Sequence, residues 1–431
     1  MPCPQVRPSR CAWATPTSTW SAASAPSCGS DQPPSSSRRR RLGAGAPGSR
    51  LAPGGGGWQA GPMGGYTIGV DVGGTKVLGV AVDPEAPHLP LATEVVPTPH
   101  GVERLVAVVL SIVAGLRGRV GGGDDRVGRA ADVHGRGGMG LEGIGVGIAG
   151  LLDLAGVLRL APNLVHEDAV EVGRRLGREL DVPLVVDNDA NCAAIAEVVA
   201  GVAKGRQEVV YAALGTGIGG AVVSGGQVLR GANGFAGEPG HMTVARGGWP
   251  CACGRSGCWE AYASGTGLAR LGREAAERAA APAGGASRRA GRGAATGVGG
   301  VGILDRAGGR MADVRGEHVT DAAAAGDATA LAVLEDFAGW VALGLSNLVN
   351  LLDPEVVVLG GTMIEVGEVL MRPVRAAFRA VALGSVERGG PPIEAAAFGA
   401  RAAATGAALL AAGLGAEAGA GPGAPGLPAR P

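Results

Sequence analysis

The first long apolar segment reads Ile68-Gly69-Val70-Asp71-Val72-Gly73-Gly74-Thr75-Lys76-Val77, a strand that turns at glycine and threonine into a second strand. A later segment follows the same plan and reads Ala213-Leu214-Gly215-Thr216-Gly217-Ile218-Gly219-Gly220-Ala221-Val222. Repetition of one hairpin design within a chain indicates related structural units. We therefore expect a fold with two lobes of similar construction.

Apolar runs alternate with helical patterns on both sides of these hairpins, which is typical of an α/β fold. The predicted strands are 66–70, 76–82, 142–148, 184–186, 209–214, 220–223 and 356–359. The predicted helices are 102–116, 190–200, a long helix capped by Asp327 that ends near Leu352, and 401–410. The alternation predicts sheets that are covered by helices.

The composition of the chain argues against one class of function and predicts loops and disordered segments. Lysine plus arginine number 38 and aspartate plus glutamate number 38 in 431 residues, so a surface built as a whole to bind polyanions is not expected. Glycine is in excess at 80 residues, and we expect turns and disordered segments to account for it. Residues 121–138 and 281–310 have low complexity and are predicted to be loops.

The low-complexity segments and the apolar pattern predict a division of the chain into domains. We predict a disordered tail over residues 1–62, a small N-terminal lobe over 63–187 and a large lobe over 188–396. A terminal helix over 397–414 and a second disordered tail over 415–431 complete the division. Met63 directly precedes the first strand, which makes a native start at this methionine a hypothesis.

Cellular location is predicted from apolar runs and cysteines. No apolar run approaches the roughly 20 residues that cross a bilayer, so no membrane contact is expected. The arginines at 38–41 precede a short, broken apolar segment that is unlike a signal peptide. Three of the seven cysteines are crowded between 251 and 258, which suits a metal site in a reducing compartment. We therefore predict a cytoplasmic protein.

Both hairpin turns have residues that suit phosphate binding. Gly73-Gly74-Thr75 and Gly215-Thr216-Gly217 offer backbone N–H groups without a neighbouring Cβ, and their threonine hydroxyls add donors. Asp71 precedes the first turn and could hold Mg²⁺ through water. Each turn alone would be read as an ordinary hairpin turn, but two of one design favour a phosphate site.

Two other nucleotide motifs are excluded. The chain contains no G-x-x-x-x-G-K-[ST] pattern, which argues against a P-loop. Residues 145–150 match G-x-G-x-x-G, but the segment after them reads as another turn between strands instead of a helix. A dinucleotide site of that type is therefore not expected.

Three polar residues, Asp187-Asn188-Asp189, lie between a predicted strand and a predicted helix. Carboxylates at such junctions lie where α/β clefts bind ligands. Asp189 could accept the proton of an attacking hydroxyl in phosphoryl transfer. The alternative is that Asp187 or Asp189 caps the helix, and capping and catalysis could each use a different residue.

A His/Cys group has the spacing of a metal site. His241, Cys251, Cys253 and Cys258 offer one imidazole and three thiolates, which complete a tetrahedral zinc shell with no open position. We call residues 241–258 the zinc knuckle and predict a structural Zn²⁺. Glu238 and Glu260 flank these ligands and are candidates for hydrogen bonds to sugar hydroxyls, although isolated glutamates are usually solvated.

Together these motifs resemble the ROK family of sugar kinases and repressors, within the actin-like ATPase superfamily. The resemblance covers about residues 66–410. It includes 71–76, 187–190, 214–220, 238–241, 251–260 and the turn Leu359-Gly360-Gly361. It implies a two-lobed ribonuclease H-like fold. The low-complexity segments 121–138 and 281–310 depart from the family pattern.

The resemblance also implies roles for individual residues. Asp189 would be the catalytic base, whereas Asn188, Glu238, His241 and Glu260 would bind the sugar. ATP would contact the two phosphate motifs, including Lys76, and the adenosine-side turn at Gly360 and Gly361. The pattern looks most like bacterial ATP-dependent glucokinases, which implies phosphorylation of the 6-hydroxyl of glucose with Mg²⁺ and a homodimer or homotetramer.

Three alternatives remain open. The first is a kinase for N-acetylmannosamine, N-acetylglucosamine, fructose or allose, and the second uses polyphosphate as the donor. The third is a sugar-responsive repressor, but residues 1–62 show no helical period from which a helix-turn-helix could be built. No nucleic-acid partner is therefore expected.

Overall fold

The computed structural model describes residues 64–121, 139–161, 164, 169–280, 302–384 and 389–419. The predictions for residues 1–62, for most of 121–138 and for the end of the chain lie outside these ranges. The strands are β1 Tyr66–Val72, β2 Lys76–Val82, β3 Ala92–Pro97, β4 Leu141–Ile148, β5 Leu151–Leu152, β6 Leu158–Leu160, β7 Leu184–Asn188, β8 Val209–Leu214, β9 Ile218–Ser224, β10 Gln227–Val228, β11 Val356–Gly360 and β12 Ile393–Ala395.

The α-helices are α1 Val102–Val120, α2 Val172–Gly177, α3 Asp189–Val199, α4 Trp259–Ala263, α5 Gly265–Ala280, α6 Ile303–Arg306, α7 Gly316–Ala324, α8 Ala328–Leu352, α9 Glu368–Val381 and α10 Ala402–Gly419. Short 3-10 helices span Pro239–His241, Met311–Asp313, Thr362–Val366 and Gly399–Arg401.

Two five-stranded sheets share one topology. The first has the order β3-β2-β1-β4-β7 and the second has the order β10-β9-β8-β11-β12. In each sheet, three antiparallel strands are followed by two parallel ones, since β1 pairs in parallel with β4 and β8 pairs in parallel with β11. The two predicted hairpins therefore occupy equivalent positions in two sheets of one topology, and the predicted mixed α/β fold is confirmed for the described residues.

Helices α3 and α10 lie between the two sheets. Helix α3 contacts β4 and β7 of the first sheet and β8 and β9 of the second, whereas α10 leaves the second sheet and packs on β1 and β4 of the first. Small residues permit this closeness: a Cβ atom at Gly69, Gly145 or Gly406 would overlap the carbonyl oxygen of Ala404, Ala407 or Cys192, respectively. Part of the glycine excess thus serves helix packing, which corrects the expectation that turns and disorder absorb it.

The glycines of 145–150 illustrate the same point. Gly145 lies under α10, and Gly150 has a φ of 139° and is followed directly by β5. The turn joins β4 to β5, so the predicted turn between strands is confirmed. The pattern arises from helix packing and from a turn between strands.

We expect Gly145→Ala to lower the free energy of unfolding by about 3 kcal/mol, because backbone atoms of α10 cannot move aside as a flexible side chain would. Urea denaturation followed by circular dichroism measures this change. The matched control is Gly140→Ala, whose Cβ would meet nothing within 4 Å, and we expect it to change stability by less than about 0.5 kcal/mol. Equal stability of the two variants would contradict the packing described for α10.

Some boundaries differ from the sequence prediction. Residues 303–306, which were expected in a loop, form α6, and the last helix continues to Gly419 instead of ending near 410. Among the residues that the structure describes, α8 alone is long and apolar enough to span a membrane, although no continuous apolar run of that length was expected. Half of its apolar window is buried, and it packs against α9, α7 and α5 as a core helix.

Candidate functional site

The first phosphate-binding candidate is the turn between β1 and β2. The Gly73 N–H donates to the Lys76 carbonyl at 3.1 Å, which closes the hairpin. The Thr98 hydroxyl donates to the Gly73 carbonyl at 2.6 Å and holds the turn from the side of β3. Gly74, Thr75 and Lys76 are exposed at the tip. The turn therefore presents backbone N–H groups to solvent on a well-supported hairpin.

The second candidate turn, between β8 and β9, is supported by the start of α5. The Gly215 N–H donates to the Gly217 carbonyl at 3.0 Å, and the Gly215 carbonyl accepts from the Gly265 N–H at 2.8 Å. The Thr266 hydroxyl donates to the Thr216 carbonyl at 2.9 Å. Gly265 and Thr266 were not predicted as site residues, although Ser264-Gly265-Thr266-Gly267 is a Gly/Thr pattern similar to the two hairpin turns.

The predicted adenosine-side turn lies beside this second hairpin. Gly360 ends β11, and Gly361 adopts a φ of 85° that disfavours other residues. A Cβ atom at Gly361 would overlap the Leu214 carbonyl oxygen at the end of β8. The structure thus brings two turns together beside the carboxyl ends of β8 and β11. One turn contains Gly360 and Gly361, and the other contains Gly215, Thr216 and Gly217.

Asn188, and neither aspartate beside it, caps α3. Its side-chain oxygen accepts from the Ala190 and Asn191 N–H groups at 2.9 and 3.1 Å, and its amide nitrogen donates to the Gly150 carbonyl at 3.1 Å. The alternative that Asp187 or Asp189 serves as the cap is therefore wrong. Since the asparagine satisfies the helix end, α3 does not need the Asp189 carboxylate as its cap, although Asp189 Oδ1 accepts from the Ala190 N–H at 2.9 Å.

Two buried carboxylates from different elements lie close enough for the charge of one to affect the other. Burial raises the pKa of Asp71 to about 7, the negative charge of Asp189 adds to this rise, and Lys76 opposes it. Burial also raises the pKa of Asp189 above its ordinary value. Asp71 comes from β1 and Asp189 from the start of α3, so the structure brings the predicted metal-side and base residues together.

Glu238 lies close enough to Asp189 and Glu260 to feel both of their charges. Burial raises its pKa to about 7, the charges of Asp189 and Glu260 raise it further, and His241 lowers it. Glu238 immediately precedes the 3-10 helix Pro239–His241, which is the predicted sugar-binding segment. The predicted base and three predicted sugar-binding residues therefore share one electrostatic neighbourhood.

Glu260 connects the zinc knuckle to the second hairpin. Its Oε2 accepts from the Ile218 N–H at 2.9 Å, and its Oε1 lies 3.5 Å from the Cys251 sulfur. Ile218 directly follows Gly217, so one side chain spans the metal ligands and a phosphate turn. Glu260 was predicted as a sugar ligand, but its contacts with Ile218 and Cys251 were not predicted.

The four predicted zinc ligands converge. The ligand atoms of His241, Cys251, Cys253 and Cys258 all lie within 4.8 Å of one another. The Sγ atoms of Cys253 and Cys258 are 3.7 Å apart, and His241 Nδ1 is 3.8 Å from Cys251 Sγ. Zn–S bonds of about 2.3 Å in a tetrahedron place two sulfurs about 3.8 Å apart. The cluster is therefore compatible with a structural zinc.

Local contacts support this donor set. The backbone N–H of Arg255, and then its side chain, lower the pKa of the Cys253 thiol to about 6, which favours the thiolate that binds metals. Burial raises the pKa of the Cys251 and Cys258 thiols. Trp249, just before Cys251, stacks on Tyr262 with ring centroids 4.4 Å apart, and Tyr262 stacks on Trp340. The knuckle is thereby packed against α4 and α8.

The chain is similar to known proteins of one family. The model of the ROK family matches residues 125–413 of the chain. A glucokinase from Streptomyces coelicolor is 32% identical over 352 residues, which cover 80% of this chain and 98% of the relative. A xylose repressor from Bacillus spizizenii is 29% identical over 236 residues, which cover 55% of this chain and 52% of the repressor. The structure of a ROK family glucokinase from Streptomyces griseus, in complex with glucose and AMPPNP, is 32% identical with a TM-score of 0.66, and the match covers 80% of this chain and 99% of that chain.

Proposed function

Because the chain belongs to the ROK family, we propose that it is a glucokinase, which transfers the γ-phosphoryl group of ATP to the 6-hydroxyl of glucose. The fold is consistent with the actin-like ATPase superfamily, and the likeness to glucokinases supports a sugar kinase. The single observation that carries the proposal is the position of Asp189, at the start of α3 and beside Asp71 and Glu238.

In this proposal Asp189 is the catalytic base. Its raised pKa makes it a better proton acceptor than a solvated aspartate, so it removes the hydroxyl proton as the sugar oxygen attacks phosphorus in line. The turns at Gly73–Thr75 and Gly215–Gly217 stabilise the phosphate charge through backbone N–H groups. Gly360 and Gly361 contact the nucleoside side of ATP.

Magnesium fits the acidic end of this cleft. Two carboxylates, Asp71 and Asp189, raise the charge density there, and hard oxygen ligands with retained water suit Mg²⁺. When bound with ATP, Mg²⁺ neutralises phosphate charge. Asp71 would hold it, and Lys76 would approach the phosphates from the same hairpin.

The sugar side is formed by Asn188, Glu238, His241 and Glu260. The Nδ1 atom of His241 faces the cysteines, which leaves Nε2 for a sugar hydroxyl. A structural Zn²⁺ held by His241 and the three cysteines would fix the ring and the loop. We expect a cytoplasmic enzyme that forms homodimers or homotetramers.

The test is a coupled ADP-release assay with ATP and Mg²⁺ on a panel of hexoses and amino sugars. We expect glucose to have the highest kcat/KM. If N-acetylmannosamine, N-acetylglucosamine, fructose or allose has the highest kcat/KM, the protein is a kinase for that sugar and not for glucose. Polyphosphate is tested in parallel as the phosphoryl donor. Absence of turnover with every sugar, together with sugar-dependent retardation of DNA in a gel, would instead support the repressor.

The raised pKa values of Asp71 and Glu238 predict that kcat/KM decreases at acidic pH. A carboxyl group with a raised pKa keeps its proton to higher pH, so Asp71 and Glu238 ionise only as pH rises through about 7. Both must be ionised to bind metal and sugar, and kcat/KM reports the free enzyme. We therefore expect log kcat/KM to fall below pH 7 with a slope near two.

Glu238→Gln removes one of these groups and should reduce that slope to about one. The control is Glu103→Gln on α1, whose exposed carboxylate pairs with Arg175 and should leave the profile unchanged. A profile that keeps its slope in Glu238→Gln would show that Glu238 does not titrate in the free enzyme near pH 7.

A further inference from the structure

Asp187 accepts hydrogen bonds on both carboxylate oxygens. Its Oδ1 accepts from the Asn188 N–H at 2.8 Å and from the Asn191 amide at 2.9 Å. Its Oδ2 accepts from Arg230 Nε and Nη2 at 3.0 and 2.5 Å. Asp187 is 3% exposed, and four donors satisfy it. It therefore has no role as a base, although it lies two residues from Asp189.

Arg230 belongs to the other lobe. It follows β10 of the second sheet, and its carbonyl accepts from the Ala236 N–H at 3.1 Å, which closes the loop that leads to Glu238. Its side chain crosses to the end of β7 in the first sheet, where only 13% of it is exposed. Arg230 thus joins the start of this loop to the segment that carries Asp189.

The far end of the loop is held separately. The Pro239 ring packs against Gly220 of β9, and the Met242 N–H donates to the Pro239 carbonyl at 3.0 Å. Glu238 therefore lies between one anchor on β9 and another at Arg230. Loss of the Arg230 anchor would free the segment before Glu238 and leave the Asp187 charge buried without its partner.

We propose that Arg230 is a positioning residue that aligns the Asp189 segment with the Glu238 loop, and that it acts through its buried ion pair with Asp187. The inference rests on the proposed sugar-kinase function of the same site. Arg230 touches neither the reacting atoms nor any residue assigned to the metal. Its contribution is the geometry between the base and the sugar loop.

The variant Arg230→Met keeps the apolar stem and removes the charge. We expect kcat to fall about 100-fold, because small misplacements of a catalytic group have effects of this size. Arg230→Lys keeps the charge without the planar fork and should recover about tenfold of that loss. Zinc content should remain that of the wild type in both variants. If Arg230→Met does not fold, the same measurements are made on Arg230→Lys.

A matched control and a second readout separate positioning from stability. Arg375→Met breaks a partly buried ion pair with Glu368 in the same lobe, and we expect a lower Tm with kcat within about twofold of wild type. Hydrogen exchange should become faster in Arg230→Met at residues 188–191 and 236–241 but not in β11. These two segments report the alignment without any need for turnover.

Two results would overturn the inference. The first is a kcat of Arg230→Met, measured below its Tm, that stays within about threefold of wild type. The second is unchanged exchange at residues 188–191 and 236–241. These results differ from a failure of the proposed function, in which the wild type would phosphorylate no sugar. Hydrogen exchange would still show in that case whether Arg230 orders the two segments.

Discussion

Replacing Asp189 by alanine is expected to lower kcat by about 10³-fold, with little change in fold or zinc content. The size follows from loss of a general base, which contributes about 10² to 10⁴-fold in well-positioned sites. Asn188 provides the helix cap, so α3 does not depend on Asp189 for its first hydrogen bonds. The assay is ADP release at saturating ATP and sugar, and calorimetry should still detect sugar binding.

Two variants sharpen this test. Asp189→Asn keeps the side-chain volume and should be nearly as inactive as the alanine variant. Asp327→Asn is the matched control, because Asp327 lies at the N-terminus of α8 and accepts from the Ala330 N–H at 2.7 Å. It should lose at most about 1 kcal/mol of stability and retain kcat. Activity of Asp189→Ala within tenfold of wild type would remove Asp189 from the base role.

Replacement of Cys258 by serine is expected to reduce zinc affinity by more than about 100-fold, since even residues outside the ligand shell contribute 10 to 100-fold. Cys258 is buried and immediately precedes α4, which carries Glu260. Loss of the metal should therefore free Glu260 from Ile218 and weaken sugar binding as well. Elemental analysis and calorimetry with the sugar measure the two effects.

Tryptophan emission provides an independent readout. Trp249 stacks on Tyr262 of α4. If chelation loosens the knuckle, the tryptophan emission should change, and added zinc should restore it. Ala252→Ser adds a hydroxyl on the same exposed loop without removing a ligand and should behave as wild type. A Cys258→Ser protein with full zinc content would contradict the four-ligand site.

The sequence predicts those parts of the molecule that depend on local pattern. The two hairpins, the Cys/His cluster and the turn at Gly360–Gly361 all form as expected, because strand alternation and glycine turns act over a few residues. Local pattern also predicted that a polar residue at the end of β7 could cap α3. It named Asp187 or Asp189 and not Asn188, since these residue types have similar capping ability.

Long-range contacts were not predictable in this way. Arg230 pairs with Asp187 across 43 residues of sequence, and no local period indicates such a partner. The contacts of Gly69 and Gly145 with α10 join residues more than 250 positions apart, and the glycines there resemble flexible or turn residues. Glu260 was identified as a candidate site residue, but its bond to the Ile218 N–H depends on how α4 meets β9.

The return of α10 to the first sheet has a consequence for synthesis on the ribosome. Leu78, Val80 and Val82 on β2 are buried against Ala404 and Ala408, which are translated more than 300 residues later. Until the end of the chain leaves the exit tunnel, this apolar face has no cover. The first sheet is therefore expected to become resistant to protease only after α10 has packed on it, and nascent chains stalled before residue 400 should be recognised by chaperones.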